Sequence, residues 1–332
     1  MRTNAFLVSV AIPAFNEAKR IRTAIESVRA QTEAPAEILV IDDGSSDDTA
    51  AAATSLGARV IVQSNAGIAR TRNRLLREAR FPWLAFLDAD DIWYPDKLAA
   101  IRAAHDACPD VDFITSDLRC RAEDGATAIA SVFGTTARYR ALPKRLLGDD
   151  VVLIRGDELG RALAIANFIG TSTVAIRRDR MLERGLFFDE TLRSDTYAFV
   201  AEDVEWYLRV LRTTDALAIA KPLGEYRFRT GSLASNYGRV RYGDVKLGER
   251  VIANPGAYVA GAAPAFLAAR RGQLRHAARI YARAHDFARA QEILREAQDG
   301  GSRFVDSAAI ALLGLARTRV GGAVAKALGT VV

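Results

Sequence analysis

The sequence predicts an α/β fold, a mostly parallel sheet with helices on both faces, followed by a helical C-terminal extension. Three observations carry this. Short apolar runs alternate with helical spacing over the first hundred residues. Each run ends in a cluster of polar residues. Beyond about residue 245 the chain turns Ala/Arg-rich and reads as mostly helical.

Taken in order, Phe6–Ile12 (FLVSVAI) is compact and rich in β-branched residues, and Pro13 ends it. A helix from about Glu17 to Gln31 would place Ile21, Ala24, Ile25 and Val28 on one face. Ile38–Ile41 runs into Asp42-Asp43-Gly44-Ser45-Ser46 and then an Ala-rich helix from about Asp48. Arg59–Val62 leads through Ser64-Asn65-Ala66-Gly67 into a helix carrying Leu75 and Leu76. Trp83–Leu87 runs into Asp88-Ala89-Asp90-Asp91, and Pro95 near the next helix start suits its missing N–H. Strands alternating with helices imply βαβ crossovers, and such sheets bind ligands beyond the carboxyl ends of their strands. All the polar clusters fall there. After about residue 115 the regularity fades: Val111–Thr115 and Thr173–Ile176 read as strands, and Asp179–Arg184 and Glu202–Arg212 as helices. Gln273–Ala297 reads as a helix-turn-helix pair.

Composition narrows the classes. Two cysteines, Cys108 and Cys120, exclude a disulfide scaffold and a four-Cys zinc site, and suit a reducing compartment. His105, His276 and His285 are scattered, which argues against a His-rich metal centre. Residues 1–20 lack a signal-peptide pattern, and no window reaches the ~18 apolar residues of a membrane span. The expectation is a cytoplasmic protein, docked at most peripherally on the inner face of the membrane. The net charge of +6 is uneven: residues 239–332 carry fifteen Lys/Arg against seven Asp/Glu. That excess suggests an anionic membrane face as partner for the tail, and no aromatic-basic pattern supports nucleic acid. Within the tail, Ala308–Ala316 bordered by Arg303, Arg317 and Arg319 suits either a lipid interface or a helix packed on the catalytic domain.

Four clusters can carry chemistry. Asp88-Ala89-Asp90 offers two carboxylates at a strand end, suited to Mg²⁺ or Mn²⁺ and its phosphates, or equally to a solvated turn capping the next helix. Asp42-Asp43-Gly44-Ser45 suits either a base- or ribose-binding carboxylate or a plain turn and N-cap. Asn65-Ala66-Gly67 with Arg70, Arg72 and Asn73 suits an anionic ligand, with Arg72 the preferred contact, or an exposed amphipathic face. Glu202-Asp203 at a helix start suits a rigidly held general base, or a pair compensating the helix dipole.

In this order the clusters, with Val10-Ala11-Ile12-Pro13-Ala14-Phe15-Asn16-Glu17, resemble the inverting glycosyltransferase family 2 over roughly residues 6–230. The resemblance implies the GT-A fold, Rossmann-like, over residues 1–240, with a nucleotide-binding half (1–115) and an acceptor-binding half (116–240). Residues 241–332 follow as the helical region. It implies that Pro13, Glu17 and Asp43 line the nucleotide pocket and that Asn65 and Arg72 enclose it. Asp88 and Ala89 would lie by the ribose, with Asp88 and Asp90 on a divalent cation, Mn²⁺ or Mg²⁺. Asp203 would be the base, and Asn167–Thr173 would line the sugar pocket. The donor would be a nucleoside-diphosphate sugar, with a UDP-sugar expected. The acceptor would be a hydroxyl of a saccharide or lipid-linked saccharide of a cell-surface polysaccharide.

Two departures stand out. Family members often carry Tyr-Arg-x-His-x-x-Ser, whereas this chain has Tyr226-Arg227-Phe228-Arg229-Thr230-Gly231-Ser232. Arginine cannot ligate a metal but can pair with diphosphate oxygens, so Arg229 is expected on the donor. The Gln-x-x-Arg-Trp signature and long spans of processive synthases are missing, so addition of a single sugar is expected. A dinucleotide oxidoreductase would need Gly-x-Gly-x-x-Gly where the chain has Pro13-Ala14-Phe15-Asn16. A nucleotidyltransferase would need a Gly-rich basic loop there. A non-catalytic sugar-nucleotide-binding protein is the alternative from outside the enzymes.

Overall fold

The computed structural model describes residues 6–122, 124–192, 201–228, 237–283 and 286–298. Contacts divide the chain into two units: Met1–Arg193 with Glu202–Thr230 and Tyr258–Ala260, and Ser194–Ala201 with Gly231–Ala257 and Gly261–Val332.

The first unit holds one mixed sheet. Its strands are β1 (Val8–Ala14), β2 (Glu37–Asp42), β3 (Arg59–Val62), β4 (Trp83–Phe86), β5 (Ile92–Trp93) and β6 (Phe113–Arg121). They continue with β7 (Thr127–Ile129), β8 (Arg145–Leu146), β9 (Val151–Ile154), β10 (Val174–Arg177) and β11 (Ala216–Arg227). The helices between them are α1 (Ile21–Arg29), α2 (Thr49–Ser55), α3 (Ile68–Glu78), α4 (Lys97–Ala107), α5 (Val132–Thr135) and α6 (Ala137–Arg140). Then come α7 (Gly156–Ile165), α8 (Arg178–Glu183) and α9 (Glu202–Val210). The strand order is β3-β2-β1-β4-β10-β6-β11-β9-β8, with β5 on β11 and β7 on β6.

The β3-β2-β1-β4 half is parallel throughout, as the alternating sequence pattern requires. The other half is mixed, and the chain path explains it. β7 folds back antiparallel on β6, and β9 runs antiparallel to β11, which is itself parallel to β6. The α7 crossover preserves that reversed direction, so β10 enters the sheet antiparallel to both β4 and β6.

Period-two alternation sorts the core. Val8, Val10 and Ile12 of β1 pack with Ile21, Ile25 and Val28 of α1 and with Leu98 and Ile101 of α4. The buried stripe of α1 is Ile21, Ala24, Ile25 and Val28, the spacing read from sequence. On the other side of the strands, Phe86 meets Phe188 and Trp206 edge-on, and Phe113 meets Tyr207. These aromatics seat α9 against the sheet. Within α4, Lys97 is fully buried, donating from Nζ to Ser116 Oγ at 2.9 Å over the Trp93 ring. Burial pushes its pKa down to about 7.

The second unit contains α10 (Tyr237–Ala253), α11 (Ala262–Arg283) and α12 (Phe287–Gln298). Val245, Leu274, Ala277, Ala278, Ile293 and Leu294 form its core. Two helices stand where the helix-turn-helix pair is expected, although α11 begins eleven residues earlier than Gln273. The basic segment 303–319 lies outside the described residues. Among the described residues, no helix is long and apolar enough to cross a membrane.

Candidate active site

Two groups of side chains line the carboxyl edge of the first unit's sheet. The first gathers where β1 and β2 end, with Pro13 opposite Ile41 and Ala14 opposite Asp42. Asn16 takes a left-handed backbone (φ 55°), a conformation uncommon outside glycine. The turn is tied across to the next loop: the Asn16 N–H donates to Ser45 Oγ, and Ser46 N–H donates to Asn16 Oδ1. Glu17 is pinned through its N–H on Thr49 Oγ1, and its carboxylate accepts from Arg20 at 2.9 Å. Phe15, just before them, is 48% exposed.

Asp43 is almost fully buried. Its Oδ1 accepts from Gln63 Nε2 at 2.6 Å and Ala66 N–H at 2.9 Å, and its Oδ2 from Gly67 N–H at 2.9 Å. Asn65 closes the ring by donating from Nδ2 to the Asp43 carbonyl. Gly44 makes this possible: its φ is 78°, and a Cβ there would stand 2.9 Å from Asn65 N. The sequence cluster Asn65-Ala66-Gly67 is therefore wrapped around Asp43 at the start of α3.

The second group centres on Arg72 of α3. Its Nη1 donates to Glu202 Oε1 at 2.7 Å and its Nη2 to Asp88 Oδ1 at 3.2 Å. The guanidinium lies over the Phe188 ring, 5.7 Å from its centre. Burial works against its charge, yet Asp88 and Glu202 hold its pKa above the usual arginine value. Burial also drives Glu202 up to about 7, against the pull of Arg72. Asp203 is likewise raised by loss of solvent, with Arg72 opposing. Its Oδ1 accepts from Val204 N–H at 2.7 Å, and Asn167 Nδ2 approaches Oδ2 at 3.4 Å.

The Asp88–Asp91 turn completes the group. The Asp88 N–H donates to Ser172 Oγ, which donates in turn to Asp91 Oδ2 at 2.5 Å. Ala89 is buried beside them. Asp91 Oδ1 is buried and completes no hydrogen bond, although the Arg227 N–H lies near enough to favour its charged form. Burial, then Asp90 and Asp88, push the Asp91 pKa well above the carboxylate range. Asp90 is half-buried at the rim of a cleft of about 720 Å³, which Lys19, Arg20, Tyr94, Arg121 and Arg227 also line.

The structure thus brings Asp88, Arg72, Glu202 and Asp203 together, and separately Asp43 with Asn65 at the head of the helix that carries Arg72. Pro13 and Glu17 stand at the adjoining strand end. Arg229 lies outside the described residues. Sequence reasoning did not single out Asn16, Gln63, Ser172 or Phe188. Asn16 belonged to the quoted β1 motif and Ser172 to the quoted Asn167–Thr173 segment, whereas Gln63 and Phe188 carry no local signal.

Such a site, on a parallel half-sheet with carboxylates at its strand ends, belongs to an α/β domain of the doubly wound kind. Residues 9–169 match the family model described as Glycosyl transferase family 2, and this segment belongs to that family. The succinoglycan biosynthesis protein ExoU of Rhizobium meliloti (strain 1021) is 32% identical over 210 residues, covering 61% of this chain and 56% of that protein. WfgD of Escherichia coli is a UDP-Glc:alpha-D-GlcNAc-diphosphoundecaprenol beta-1,3-glucosyltransferase, 40% identical over 97 residues. That match covers 28% of this chain and 38% of WfgD. The chain accordingly spans about half the length, or less, of these relatives. In architecture it is similar to S. aureus TarS 1-349 in complex with UDP-GlcNAc. The TM-score is 0.58 at 18% identity, covering 97% of this chain and 90% of that one. The mannosyltransferase PcManGT of Pyrobaculum calidifontis, in complex with GDP-Man and Mn2+, gives a TM-score of 0.52 at 18% identity. That comparison covers 97% of this chain and 85% of the other. The fold is the GT-A glycosyltransferase fold.

The residues present suit a divalent cation. Three carboxylates crowd one four-residue turn; burial first, and then repulsion from Asp90 and Asp88, which a cation would relieve, raise the Asp91 pKa. Asp91 is buried on Ser172, whereas Asp88 and Asp90 are the more exposed carboxylates of the turn and would be the oxygen donors. Two carboxylates plus substrate phosphates are a common Mg²⁺ or Mn²⁺ environment. Among the described residues no group of three His, Cys, Asp or Glu side chains is arranged to hold a metal without such help.

Proposed function

We propose that the chain is an inverting glycosyltransferase that moves one sugar from a nucleoside-diphosphate sugar to an acceptor hydroxyl. The observation that carries this reading is the Asp88–Arg72–Glu202 chain of contacts, with Asp203 beside it, at the strand edge where Asp43 and Asn65 also lie. Pro13, Glu17, Asp43 and Asn65 would hold the base, and Asp88 with Ala89 the ribose. Phe15, exposed beside Asn16, would cover the base. A UDP-sugar donor is favoured by the UDP-Glc and UDP-GlcNAc named for WfgD and the TarS structure. A saccharide on a lipid diphosphate, destined for a surface polysaccharide, is favoured as acceptor by the WfgD and ExoU names.

Asp203 Oδ2 accepts the proton of the acceptor hydroxyl as that oxygen bonds to the anomeric carbon and the bond to the diphosphate breaks. A raised pKa suits a group that must take up a proton near neutral pH. Attack opposite the leaving group inverts the anomeric carbon. Asp88 and Asp90 would hold a divalent cation, whose chemistry when bound is to neutralise charge on the departing diphosphate. Arg229 would pair with the same diphosphate, a role that rests on the sequence alone.

The test is nucleoside-diphosphate release from a panel of UDP- and GDP-sugars with Mn²⁺, in wild type and Asp203→Asn. Turnover by wild type and its loss in the variant, with donor binding intact, support the reading. Donor binding without turnover in wild type would instead make the chain a sugar-nucleotide-binding protein. We also place the protein at the inner membrane face through its basic tail. Cosedimentation with anionic liposomes, with and without residues 300–332, tests it: no binding in either form removes the placement, and binding that survives the deletion removes the tail as its cause.

A further inference from the structure

We infer that Arg72 is a positioning residue, paired with Glu202, that fixes the base-bearing end of α9 against the Asp88 turn. The inference rests on the reading of Asp203 as base. It assigns to Arg72 a task other than contact with the nucleotide.

The geometry argues as follows. Arg72 lies on α3, while its two carboxylate partners come from positions 16 and 130 residues away. Its side chain is only 6% exposed, against 32% for Asp88 and 12% for Glu202. Both terminal nitrogens donate to protein carboxylates, and burial of the side chain leaves little of the guanidinium open to a ligand. The planar fork of a guanidinium can span two acceptors at fixed separation, which a lysine ammonium cannot.

The neighbouring residue reinforces the same link. Asn73 donates from Nδ2 to the Phe188 carbonyl at 2.8 Å and accepts the Phe188 N–H on Oδ1 at 2.7 Å. Phe188 thus holds its ring under the Arg72 guanidinium. On the same ring, Trp206 of α9 stacks at 4.3 Å and 18°, and its Nε1 donates to the Leu186 carbonyl. Consecutive residues of α3 therefore grip α9 twice: Arg72 through Glu202, and Asn73 through Phe188 and Trp206. Asp203 follows Glu202 directly, so the position of its carboxylate follows from that grip. Arg72 ties the same point to Asp88, and one guanidinium thereby sets the spacing between the base and the diphosphate end of the site.

Misplacing a reacting group by about 1 Å costs on the order of 100-fold in rate. The experiment compares Arg72→Lys, Glu202→Gln and Arg72→Met/Glu202→Gln with wild type, using the nucleotide sugar that wild type turns over. Steady-state kcat is read beside the equilibrium dissociation constant of that donor. Arg72→Lys is expected to lower kcat on the order of 100-fold, with donor affinity within about threefold of wild type. Glu202→Gln keeps a hydrogen-bond acceptor for Arg72 and should lose about tenfold. The double variant removes both members of the Arg72–Glu202 pair, so no charged Glu202 is left facing an absent Arg72, and it keeps the comparison open if Arg72→Lys fails to fold. Its kcat should fall no further than about that of Arg72→Lys, because the two residues share one task. An Arg72→Lys enzyme with kcat within twofold of wild type overturns the inference. So does a loss of donor affinity that matches the loss of kcat, since Arg72 would then be a donor ligand. A wild type that turns over no nucleotide sugar defeats the glycosyltransferase reading itself, an outcome distinct from both.

Discussion

Asp43 and Asp203 stand at the same edge of one sheet, yet their surroundings differ in kind. Asp43 sits in a ring of donors from one short loop: Gln63, the Ala66 and Gly67 N–H groups, and Asn65 on its own carbonyl. All of these donors come from the loop between β3 and α3, 20 to 24 residues beyond Asp43, and the carboxylate is matched before any ligand arrives. Asp203 belongs instead to a crowd. Asp88, Asp91, Glu202 and Asp203 come from two distant turns, with raised pKa values at Asp91, Glu202 and Asp203 and an unfilled buried oxygen on Asp91. The first arrangement is a preformed socket, whose use is shape recognition. The second holds carboxylates whose charge is disfavoured chiefly by burial, a cost that a cation or an incoming proton relieves, as is common at reaction centres.

The sharpest way to break this contrast is to neutralise each carboxylate in turn. Asp203→Asn should lower turnover by about 10²–10⁴-fold while leaving donor affinity unchanged. In wild type, the acid limb of kcat should lie above the ordinary aspartate range. The base must be unprotonated to act, and its pKa is raised, so activity falls as pH drops through that raised value. Asp43→Ala should do the reverse, weakening donor binding by about 10- to 100-fold through loss of several hydrogen bonds, with a smaller effect on kcat. If both variants lose binding and turnover in the same proportion, the two regions are one.

A smaller effect sharpens the same point. Gly44→Ala forces a Cβ to within 2.9 Å of Asn65 N and 3.0 Å of the Gln63 carbonyl, on a backbone with φ 78°. It should cost about 1–3 kcal/mol of stability in thermal unfolding and weaken the donor, because the loop that rings Asp43 is displaced. An unchanged melting temperature and unchanged donor affinity would show that the ring is not rigid.

The smallest effect concerns a buried charge remote from both regions. The native pKa of Lys97, about 7, lies below its ordinary 10.5 because burial disfavours the cation. Between those values the unfolded chain binds more protons than the native one, so raising pH through that window stabilises the native state. Replacing Lys97 with Met removes this dependence, and the stability gap between variant and wild type should narrow from pH 7 to pH 10. A gap independent of pH would place a counter-charge beside the ammonium.

Much of the fold could be read from local pattern. The β1–α1 unit declares itself through Ile21, Ala24, Ile25 and Val28, and β3 through a run of four residues. β11 does not, because Lys221-Pro222-Leu223-Gly224 breaks any strand pattern at its centre, where the pairing register shifts. The insertion of β10 between β4 and β6 is a long-range pairing that no local spacing encodes. In the site, the residues with chemistry were visible because Asp, Asn, Gly and Arg cluster at strand ends. Their assignments were less visible. Nothing in Arg72's neighbourhood of sequence shows that a carboxylate 130 residues away would claim its guanidinium. Nor does Asp91 differ from Asp90 on paper, although of the two, which both line the cleft, Asp91 is buried on Ser172 and Asp90 is half-buried.

The central claim is that the carboxylates beyond β4 meet a cation-bound diphosphate. Calorimetric titration of UDP into wild type and Asp90→Asn, each with and without Mn²⁺, tests it most directly. Mn²⁺ should tighten UDP binding by about tenfold or more in wild type, a coupling of at least roughly 1.4 kcal/mol, and should leave Asp90→Asn unaffected. Equal affinities with and without Mn²⁺ in wild type, or an undiminished Mn²⁺ effect in Asp90→Asn, would contradict it.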